Sequence, residues 1–365
     1  MPGTLLRDND SVTTARIPAT YQVARDAFRA AAHQHRWDAQ AHPIEARGPH
    51  AEPLTVDVAR RGPRRARRAL VVLSGVHGVE GFIGSALQCD LIGRLGPLAT
   101  DDAVLLVHAV NPWGMAWLRR QNESNVDLNR NWACDTTDPM PNDPYDELHS
   151  LLCPATLELG EHDEFLARIG EYVGRHGIGW VSDAISAGQY THDDGMHFGG
   201  HRTEQSTALL AQVVADELVG AESVLVVDLH TGHGRYGTCT ILTGGPVGSH
   251  NHGFLLEWFP PDLLEATSGT APGRLAAGLA TVLPHCTYNS ATVEFGTASG
   301  TRQLLASREE LWVQVHGDRS DPGQLAAVDR YHRCFSPDDE AWEQGALQQG
   351  RSVLDAALRA VFSRG

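Results

Sequence analysis

Lysine is absent from this chain of 365 residues, so all 29 of its basic residues are arginines. Enzymes that form a Schiff base, including those that use pyridoxal phosphate, need a lysine amine. The Walker A phosphate loop and the protein kinases also depend on a lysine beside the phosphates. The composition therefore excludes all of these classes of chemistry.

The sequence also has little positive charge, no paired cysteines and no long apolar run. Its 45 acidic residues give a formal net charge of −16, which disfavours a general nucleic-acid-binding protein. The six cysteines are scattered without a C-x-x-C pair, which is typical of reduced thiols in the cytoplasm. No apolar run approaches the ~18 residues of a membrane span, and residues 1–10 have no signal-peptide core. We therefore expect a cytoplasmic protein that binds neither nucleic acid nor membranes.

Apolar runs of strand length alternate with amphipathic segments along most of the chain. Residues 17–35 have apolar side chains at helical spacing, which predicts an N-terminal helix. The alternation favours an α/β fold, with a mixed, largely parallel central sheet flanked by helices. We predict a single domain over residues 1–365, with a loop insertion at about 133–160. The predicted strands are 54–59, 69–75, 103–112, 223–232, 238–245 and 287–297, and the further predicted helices are 85–95, 162–175, 203–219 and 339–363.

An arginine-rich segment, residues 60–68, joins the first two predicted strands. A cluster of arginines is a candidate phosphate-binding site. However, Gly62 and Pro63 are typical of a tight turn, and a turn between two strands is exposed to solvent. We therefore predict that this segment is a solvated hairpin turn.

Side chains suited to metal binding or acid–base catalysis lie at the ends of three predicted strands. His77 and Glu80 follow the strand 69–75 and are three residues apart. His230 ends the apolar run that begins at Val224, and Glu294 lies in an apolar, β-branched context. Because the carboxyl ends of parallel strands meet at one edge of a sheet, we expect these side chains to converge.

Two histidines and one glutamate form a ligand set of catalytic zinc, with the fourth position open to water. His77, Glu80 and His230 provide this set, and Glu294 is the candidate general base outside it. Each residue alone is more often a chance occurrence or a buried, hydrogen-bonded side chain than a functional group, but their joint placement favours a metal site. His233 could replace Glu80 as the third ligand.

Three arginines lie in the loop-like segment 111–132, namely Arg119, Arg120 and Arg130. A guanidinium group presents a planar fork of donors that matches a carboxylate. Most arginines in proteins form surface salt bridges, so this segment alone is only a candidate site for an acidic ligand.

Five motifs, in this order, resemble the M14-type zinc carboxypeptidase superfamily, and most closely its DUF2817 branch. They are HGVEGFIGSA, HAVNPWGMAWLRRQNESNVDLNRNW, GQYTHDDGMHFGG, DLHTGHGRYG and VEFGT. The resemblance extends over residues 15–365, and the branch is related to the succinylglutamate desuccinylases and aspartoacylases. It implies a zinc carboxypeptidase-like fold and one Zn²⁺ per chain, bound by the ligands named above.

The resemblance also implies roles for the residues of the arginine-containing segment. Asn129 and Arg130, in the sequence LNRN, would hold a carboxylate of the substrate. Arg119 or Arg120 would stabilise the oxyanion that forms during hydrolysis. Glu294 would be the base, as its position also suggests.

These features together predict an enzyme, a zinc metallohydrolase. We expect it to hydrolyse an amide bond next to a free carboxylate in a carboxypeptidase-like manner, with water activated by the metal and a glutamate base. The substrate would be a small peptide or an N-acyl amino acid, and an N-acyl amino acid deacylase is the alternative. A non-catalytic binding protein on the same fold is disfavoured because the ligands, base and arginines are all present. The oligomeric state stays open.

Three other features bear on the chemistry. The mobile active-site tyrosine of the superfamily has no matching motif, so Tyr190, Tyr236 and Tyr288 all stay candidates. Residues 191–201 contain three histidines and two aspartates, which favours a glycine-rich loop over the cleft rather than a second metal site. Residues 184–188 resemble a serine-hydrolase elbow but do not follow an apolar strand, so a serine hydrolase is disfavoured.

Overall fold

The centre of the molecule is one mixed β-sheet. The computed structural model describes Leu6 and residues 16–132, 140–267 and 271–363. Within these residues the sheet has eight strands. They are β1 Asp38–Arg47, β2 Pro53–Arg61, β3 Arg68–Ser74, β4 Asp102–His108, β5 Ser223–Gly232, β6 Cys239–Leu242, β7 Leu264–Glu265 and β8 Thr287–Gly296.

The strand order across the sheet is β1-β2-β4-β3-β5-β8-β6-β7. The four central strands, β4, β3, β5 and β8, are parallel to one another. Antiparallel pairing joins β1 to β2, β2 to β4 and β6 to β8. The predicted α/β fold with a mixed, largely parallel sheet is therefore confirmed.

Helices cover both faces of the sheet. None of those in the described residues is long and apolar enough to cross a membrane. They are α1 Tyr21–Gln34, α2 Gly81–Arg94, α3 Pro112–Trp117, α4 Asp143–Leu152, α5 Asp163–His176, α6 Ile178–Ser186, α7 Gln205–Glu217, α8 His250–Trp258, α9 Leu275–Val282, α10 Gly300–His316, α11 Pro322–Phe335 and α12 Glu340–Phe362.

The central strands are apolar on both faces because each face is covered. In β3, Leu70 and Val72 pack on one side in a core that includes residues of α2 and α12. Val71 and Leu73 point to the other side, where the core includes residues of α7 and α9. This alternation explains why β3 reads as a continuous apolar run, as strands of buried parallel sheets do.

The prediction of a hairpin turn at residues 60–68 is wrong. Strand β2 pairs with β4, and β4 lies between β2 and β3, so the segment crosses over a strand instead of joining neighbours. Two of its arginines are occupied by ion pairs, since Arg60 contacts Asp38 and Glu217 and Arg67 contacts Glu222. The order of strands in the chain does not reveal their order in the sheet, which is why sequence alone suggested a hairpin.

The predicted loop insertion falls partly outside the described residues, at 133–139. Its described remainder contains helix α4, which the sequence did not predict. Tyr145 and Leu148 of α4 share a small separate core with Val181 and Ala184 of α6. Of these two helices, α6 forms part of one wall of the cleft described next, through Ser182, Asp183 and Ser186.

Candidate metal centre and its cleft

The sharp turn after β3 brings His77 and Glu80 together. Residues Gly78–Glu80 form one turn of 3₁₀ helix, so that Nδ1 of His77 lies 3.0 Å from Oε1 of Glu80. A side chain at Gly78 would overlap the backbone of Gly114 and Met115, so this close approach requires glycine. The turn is therefore fixed by α3, which packs against it.

His230 completes a compact group of three buried side chains. Its Nδ1 lies 2.9 Å from Oε2 of Glu80 and 3.1 Å from Nδ1 of His77. All three residues are at most 3% exposed. Burial alone would raise the pKa of Glu80, but the charge of His77 and the hydrogen bonds from His230 and His77 outweigh burial, so the pKa is lowered. Glu80 therefore stays ionised beside two imidazoles.

A carboxylate lies next to Nε2 of each of the two imidazoles. Nε2 of His77 is hydrogen-bonded to Oδ1 of Asp127 at 3.1 Å. Nε2 of His230 lies 2.7 Å from Oδ2 of Asp228, two residues earlier on the same face of β5. Carboxylates of this kind fix the tautomer of histidines that bind a metal through the other ring nitrogen. The hydrogen bond to Asp127 thus leaves Nδ1 of His77 available to a metal, whereas Nε2 of His230 lies close to Asp228 without forming a hydrogen bond.

The geometry of the group fits a metal ion. In a tetrahedral zinc site with bonds of roughly 2.1 Å, the ligand atoms lie roughly 3.4 Å apart. The two Nδ1 atoms and the carboxylate oxygens of Glu80 are separated by 2.9–3.1 Å. His77, Glu80 and His230 are thus brought together as a possible His₂Glu site.

Glu294 lies next to this group on the neighbouring strand. It is the register partner of His230 in the parallel pair β5–β8, so the two side chains project from the same edge. Its Oε2 accepts a hydrogen bond from the backbone N–H of His233 at 3.3 Å. Burial raises the pKa of Glu294, and the positive charge of His230 only partly opposes this. A raised pKa suits a general base that works near neutral pH.

The two neighbouring arginines of the segment point in different directions. Arg120 lines the cleft, and it donates to Asp127 Oδ2 and Glu80 Oε1, both at 3.0 Å. Arg119 is only 1% exposed and lies outside the cleft, where it donates to Glu310 at 2.8 Å. The sequence left open whether Arg119 or Arg120 faces the oxyanion. Of the two, only Arg120 faces the metal group.

Arg130 lines the same cleft without a carboxylate partner among the described residues. Its guanidinium donates to the backbone oxygens of Asn129, Ser186 and Ala187 at 2.6–3.1 Å. Burial lowers its pKa to about 10, so the group is charged at neutral pH. Asn129 lies beside it, and its Oδ1 accepts from the backbone N–H of Leu275 at 3.0 Å.

The cleft has a volume of about 680 Å³ and contains residues that sequence reasoning missed. His197 is hydrogen-bonded to Asp127 at 3.3 Å, and burial lowers its pKa to about 4. Arg274 precedes helix α9 and also lines the cleft. Asp127 directly precedes the LNRN motif and Asp228 is two residues before His230, so the sequence offered a signal that both lie at the site. Arg274 lies in a loop without any motif and offered no such signal.

None of the three candidate tyrosines lies at the metal group. Tyr190 is buried, and its hydroxyl donates to the backbone oxygen of Arg130 at 2.6 Å. Tyr236 is 54% exposed and donates to Asp339, outside the cleft. Tyr288 lines the cleft but is six residues before Glu294 on β8, a separation of roughly 20 Å along the strand.

His233, His192 and His149 are poorly placed to bind a metal. His233 is half-exposed and pairs with Glu265 at 3.0 Å, away from the ligand atoms. His192 and His149 form a second group with Asp194, but their rings stack at 3.7 Å and 10°. A metal lies in the plane of each imidazole that binds it, and stacked planes do not converge on one point.

The elbow-like segment at residues 184–188 is likewise not a strand-to-helix turn. Ser186 is the last residue of α6, and its backbone oxygen accepts a hydrogen bond from Arg130. Its role in the described structure is therefore to hold an arginine in place.

Fold and site together define an α/β protein with a metal-type His₂Glu group at the carboxyl edge of its sheet. The chain belongs to the family described as protein of unknown function DUF2817, whose sequence profile matches residues 18–349. The predicted membership of this family is thereby confirmed. No curated protein matches the sequence.

Several solved structures resemble this one at low sequence identity. Murein-tripeptide amidase MpaA from Escherichia coli O157 is 19% identical over 85% of this chain and 97% of that chain, with a TM-score of 0.41. The succinylglutamate desuccinylase from Chromobacterium violaceum is 14% identical over 88% and 75%, with a TM-score of 0.37. A metallo-carboxypeptidase from Burkholderia cenocepacia is 12% identical over 92% and 70%, with a TM-score of 0.43.

Proposed function

We propose that this protein is a zinc-dependent hydrolase of an amide bond next to a free carboxylate. One zinc ion would be held by His77, Glu80 and His230. The observation that carries the proposal is that one cleft joins this ligand group to Arg130, a buried cation with no described carboxylate partner. A buried charge is costly unless an opposite charge meets it, so the substrate is expected to supply the anion.

Each side chain of the cleft has a separate role in hydrolysis. Zinc, when bound, supplies a lowered pKa for its water and polarises the amide carbonyl. Glu294 accepts the proton of the attacking water and delivers it to the leaving nitrogen. Arg120 faces the oxyanion with its guanidinium donors. Asn129 and Arg130 hold the carboxylate of the leaving residue, since three of the five guanidinium N–H groups already bind backbone oxygens and two stay available.

The same geometry supports a second candidate, the hydrolysis of N-acyl amino acids. In both reactions the leaving group is an amino acid whose carboxylate is next to the scissile amide. Asn129 and Arg130 therefore recognise the part that the two substrates share. The two candidates differ only in the acyl side, which the arginine does not contact.

A panel of matched substrates tests the proposal. Short peptides with a free or an amidated C-terminus, and N-acyl amino acids, are incubated with the purified chain after zinc loading or chelation. Hydrolysis is expected only with zinc and only beside a free carboxylate. The class of substrate that is cleaved decides between peptidase and deacylase.

The role of Arg130 is tested through the ratio of kcat/KM for free-acid and amidated substrates. Lysine cannot make the planar two-point contact, so Arg130→Lys should lower this ratio by about one to two decades, mainly through KM. The control is Arg202→Lys, at a side chain that is 81% exposed and outside the cleft. No hydrolysis of any substrate by the zinc-loaded chain, or equal ratios in wild type and Arg130→Lys, would contradict the proposal.

A further inference from the structure

Arg274 is held in a fixed position beside the residues proposed to bind the substrate carboxylate. The backbone oxygen of Gly273 accepts from the N–H of Trp132 at 3.2 Å, and the N–H of Leu275 donates to Asn129 Oδ1 at 3.0 Å. Gly273 has a φ of +63°, and a side chain there would overlap the backbone oxygen of Arg130. The residues on both sides of Arg274 are thus bound to the segment that contains Arg130.

The guanidinium of Arg274 has no partner within the described part of the chain. It lines the cleft and forms no ion pair or hydrogen bond there, and its Nε is buried without a hydrogen-bond partner. Arg274 is close enough to Arg130 for the two positive charges to interact, since the charge of Arg274 lowers the pKa of Arg130. Burial lowers the pKa of Arg274 as well. Two adjacent cations in a partly buried site repel each other unless an anion lies between them.

No carboxylate of the described cleft forms an ion pair with Arg274, although the charge of Asp127 acts on it from a distance. Asp127 is bonded to His77, His197 and Arg120, and Glu265 pairs with His233. Asp228 lies against His230. Asp183, on the facing helix α6, makes no ion pair with Arg130 or Arg274 among the described residues. Among the described residues, the charge of Arg274 is therefore unpaired and available to a ligand.

The wall next to Arg274 has room for a polar group. Helix α9 presents Ala276, Ala277 and Ala280 to the cleft, and α6 presents Ser182 and Ser186 through its facing side. Small and polar lining of this kind offers little apolar surface to an aliphatic or aromatic side chain. It leaves the guanidinium as the main source of binding energy at this end of the cleft.

We propose that Arg274 is a second anion subsite, so that the leaving residue of the substrate carries two carboxylates. The α-carboxylate binds to Asn129 and Arg130, and the acidic side chain of the same residue, aspartate or glutamate, binds to Arg274. This inference rests on the proposed function and names its substrate class, an amide of a dicarboxylic amino acid.

The kinetic test compares substrates that differ in one charge. Peptides that end in Glu or Gln are nearly isosteric, and the same holds for N-acyl-Glu and N-acyl-Gln. Wild type is expected to favour Glu about 10–100-fold in kcat/KM, which matches a charge-assisted bidentate contact. Arg274→Gln should bring the ratio near one, and Arg274→Lys should give an intermediate value. The matched control, Arg202→Gln, should keep the wild-type ratio.

A binding test does not depend on turnover. Calorimetry measures the Kd of glutarate and of its monoamide, glutaramate, for the full chain with and without added zinc. Glutarate is expected to bind at least about tenfold more tightly than glutaramate to wild type and to Arg202→Gln. This difference should vanish in Arg274→Gln. Thermal unfolding followed by circular dichroism checks that each variant is folded.

The two experiments separate failure of the subsite from failure of the proposed function. If no substrate is hydrolysed but glutarate binding depends on Arg274, the proposed function is wrong and the anion subsite stands. If substrates are hydrolysed with a Glu/Gln ratio near one, and Arg274→Gln binds glutarate as wild type does, the subsite is overturned. It is also overturned if Arg274→Gln weakens glutarate and glutaramate equally, since both arginines would then share one carboxylate.

Discussion

At the scale of single residues, the carboxylate of Asp127 connects the two halves of the cleft. Its Oδ1 binds Nε2 of His77, and its Oδ2 accepts from Arg120 and contacts His197. Its Oδ1 also accepts from the backbone N–H of Asn129 at 2.9 Å. Burial would raise the pKa of Asp127, but the nearby charge of Arg120 outweighs it and holds the pKa well below its usual range. One ionised, fully buried group therefore orients a proposed metal ligand and the substrate-binding segment together.

Asp127→Asn should weaken metal binding while the chain stays folded. The amide is neutral and supports the imidazole of His77 less well, and loss of such a partner typically costs about 10–100-fold in metal affinity. Competition with a chromophoric chelator measures this affinity. The control is Asp146→Asn, an exposed aspartate that pairs with His192 outside the cleft. Equal affinities of wild type and Asp127→Asn would show that Asp127 does not orient a ligand.

Glu294→Gln should separate metal binding from turnover. Glu294 lies outside the group His77, Glu80 and His230, so the variant should keep its zinc as measured by elemental analysis. Loss of a general base typically lowers kcat by about 10²–10⁴-fold. Glu222→Gln, in an exposed ion pair with Arg67, is the control. A variant without zinc would make Glu294 a ligand, and one with wild-type kcat would remove it from catalysis.

At the scale of elements, the sequence predicted the strands whose side chains are apolar on both faces. The runs around Leu70, Val104 and Val226 are continuous because helices cover the parallel strands on each side. Strand β1, Asp38–Arg47, was missed because most of its residues are exposed and it has no apolar run. The partner of β2 could not be predicted either, since a strand's neighbours depend on tertiary packing.

The candidate site was predictable to the extent that it follows strand ends. His77, His230 and Glu294 come directly after or within apolar strands, and parallel strands deliver such residues to one edge. The direction of Arg119 and Arg120 was not predictable, because adjacent residues in a loop have no fixed periodicity. Arg274 was missed for a related reason, since only the hydrogen bonds of its neighbours place it in the cleft.

Gly273→Ala tests whether the contact between this loop and the Asn129–Trp132 segment shapes the cleft. The added methyl group would overlap the backbone oxygen of Arg130, and φ of +63° is unfavourable for alanine. The loop should move, so KM for carboxylate substrates should rise about tenfold or more with zinc content unchanged. Gly160→Ala, also at positive φ but with no neighbour within 4 Å, is the control for backbone strain alone. Equal KM in both variants would contradict the role of this contact.

At the scale of the whole molecule, buried histidines contribute to the response to acid. The chain has 19 histidines. Burial lowers the pKa of His108 from 6.5 to about 3, and it also lowers the pKa values of His149 and His332. Such a group binds a proton in the unfolded chain below about pH 6.5 but in the folded chain only near the lowered pKa. Stability is therefore complete above pH 6.5 and is lost as the pH falls towards the folded pKa.

His108→Phe should make the molecule less sensitive to acid. His108 is fully buried and stacks on Phe28 at 4.6 Å, with Nε2 against Ser85 at 2.9 Å. Phenylalanine keeps the ring but cannot titrate. Between pH 7 and pH 5 the titration of His108 alone should lower the free energy of unfolding by roughly 2 kcal/mol, which the variant should not lose.

The effect of His108 is isolated by comparing the change in the free energy of unfolding between pH 7 and pH 5 in wild type and in His108→Phe. Urea unfolding with a chelator present gives the free energy of unfolding at pH 7 and pH 5 for both proteins, so that metal loss does not contribute. The lost hydrogen bond to Ser85 destabilises the variant at both pH values and cancels. All other histidines are common to the two proteins and cancel as well. His50→Gln, at an exposed histidine, should behave as wild type does. If His108→Phe and wild type lose the same free energy between the two pH values, the buried imidazole is already protonated in the folded state and the proposed cause of acid sensitivity is wrong.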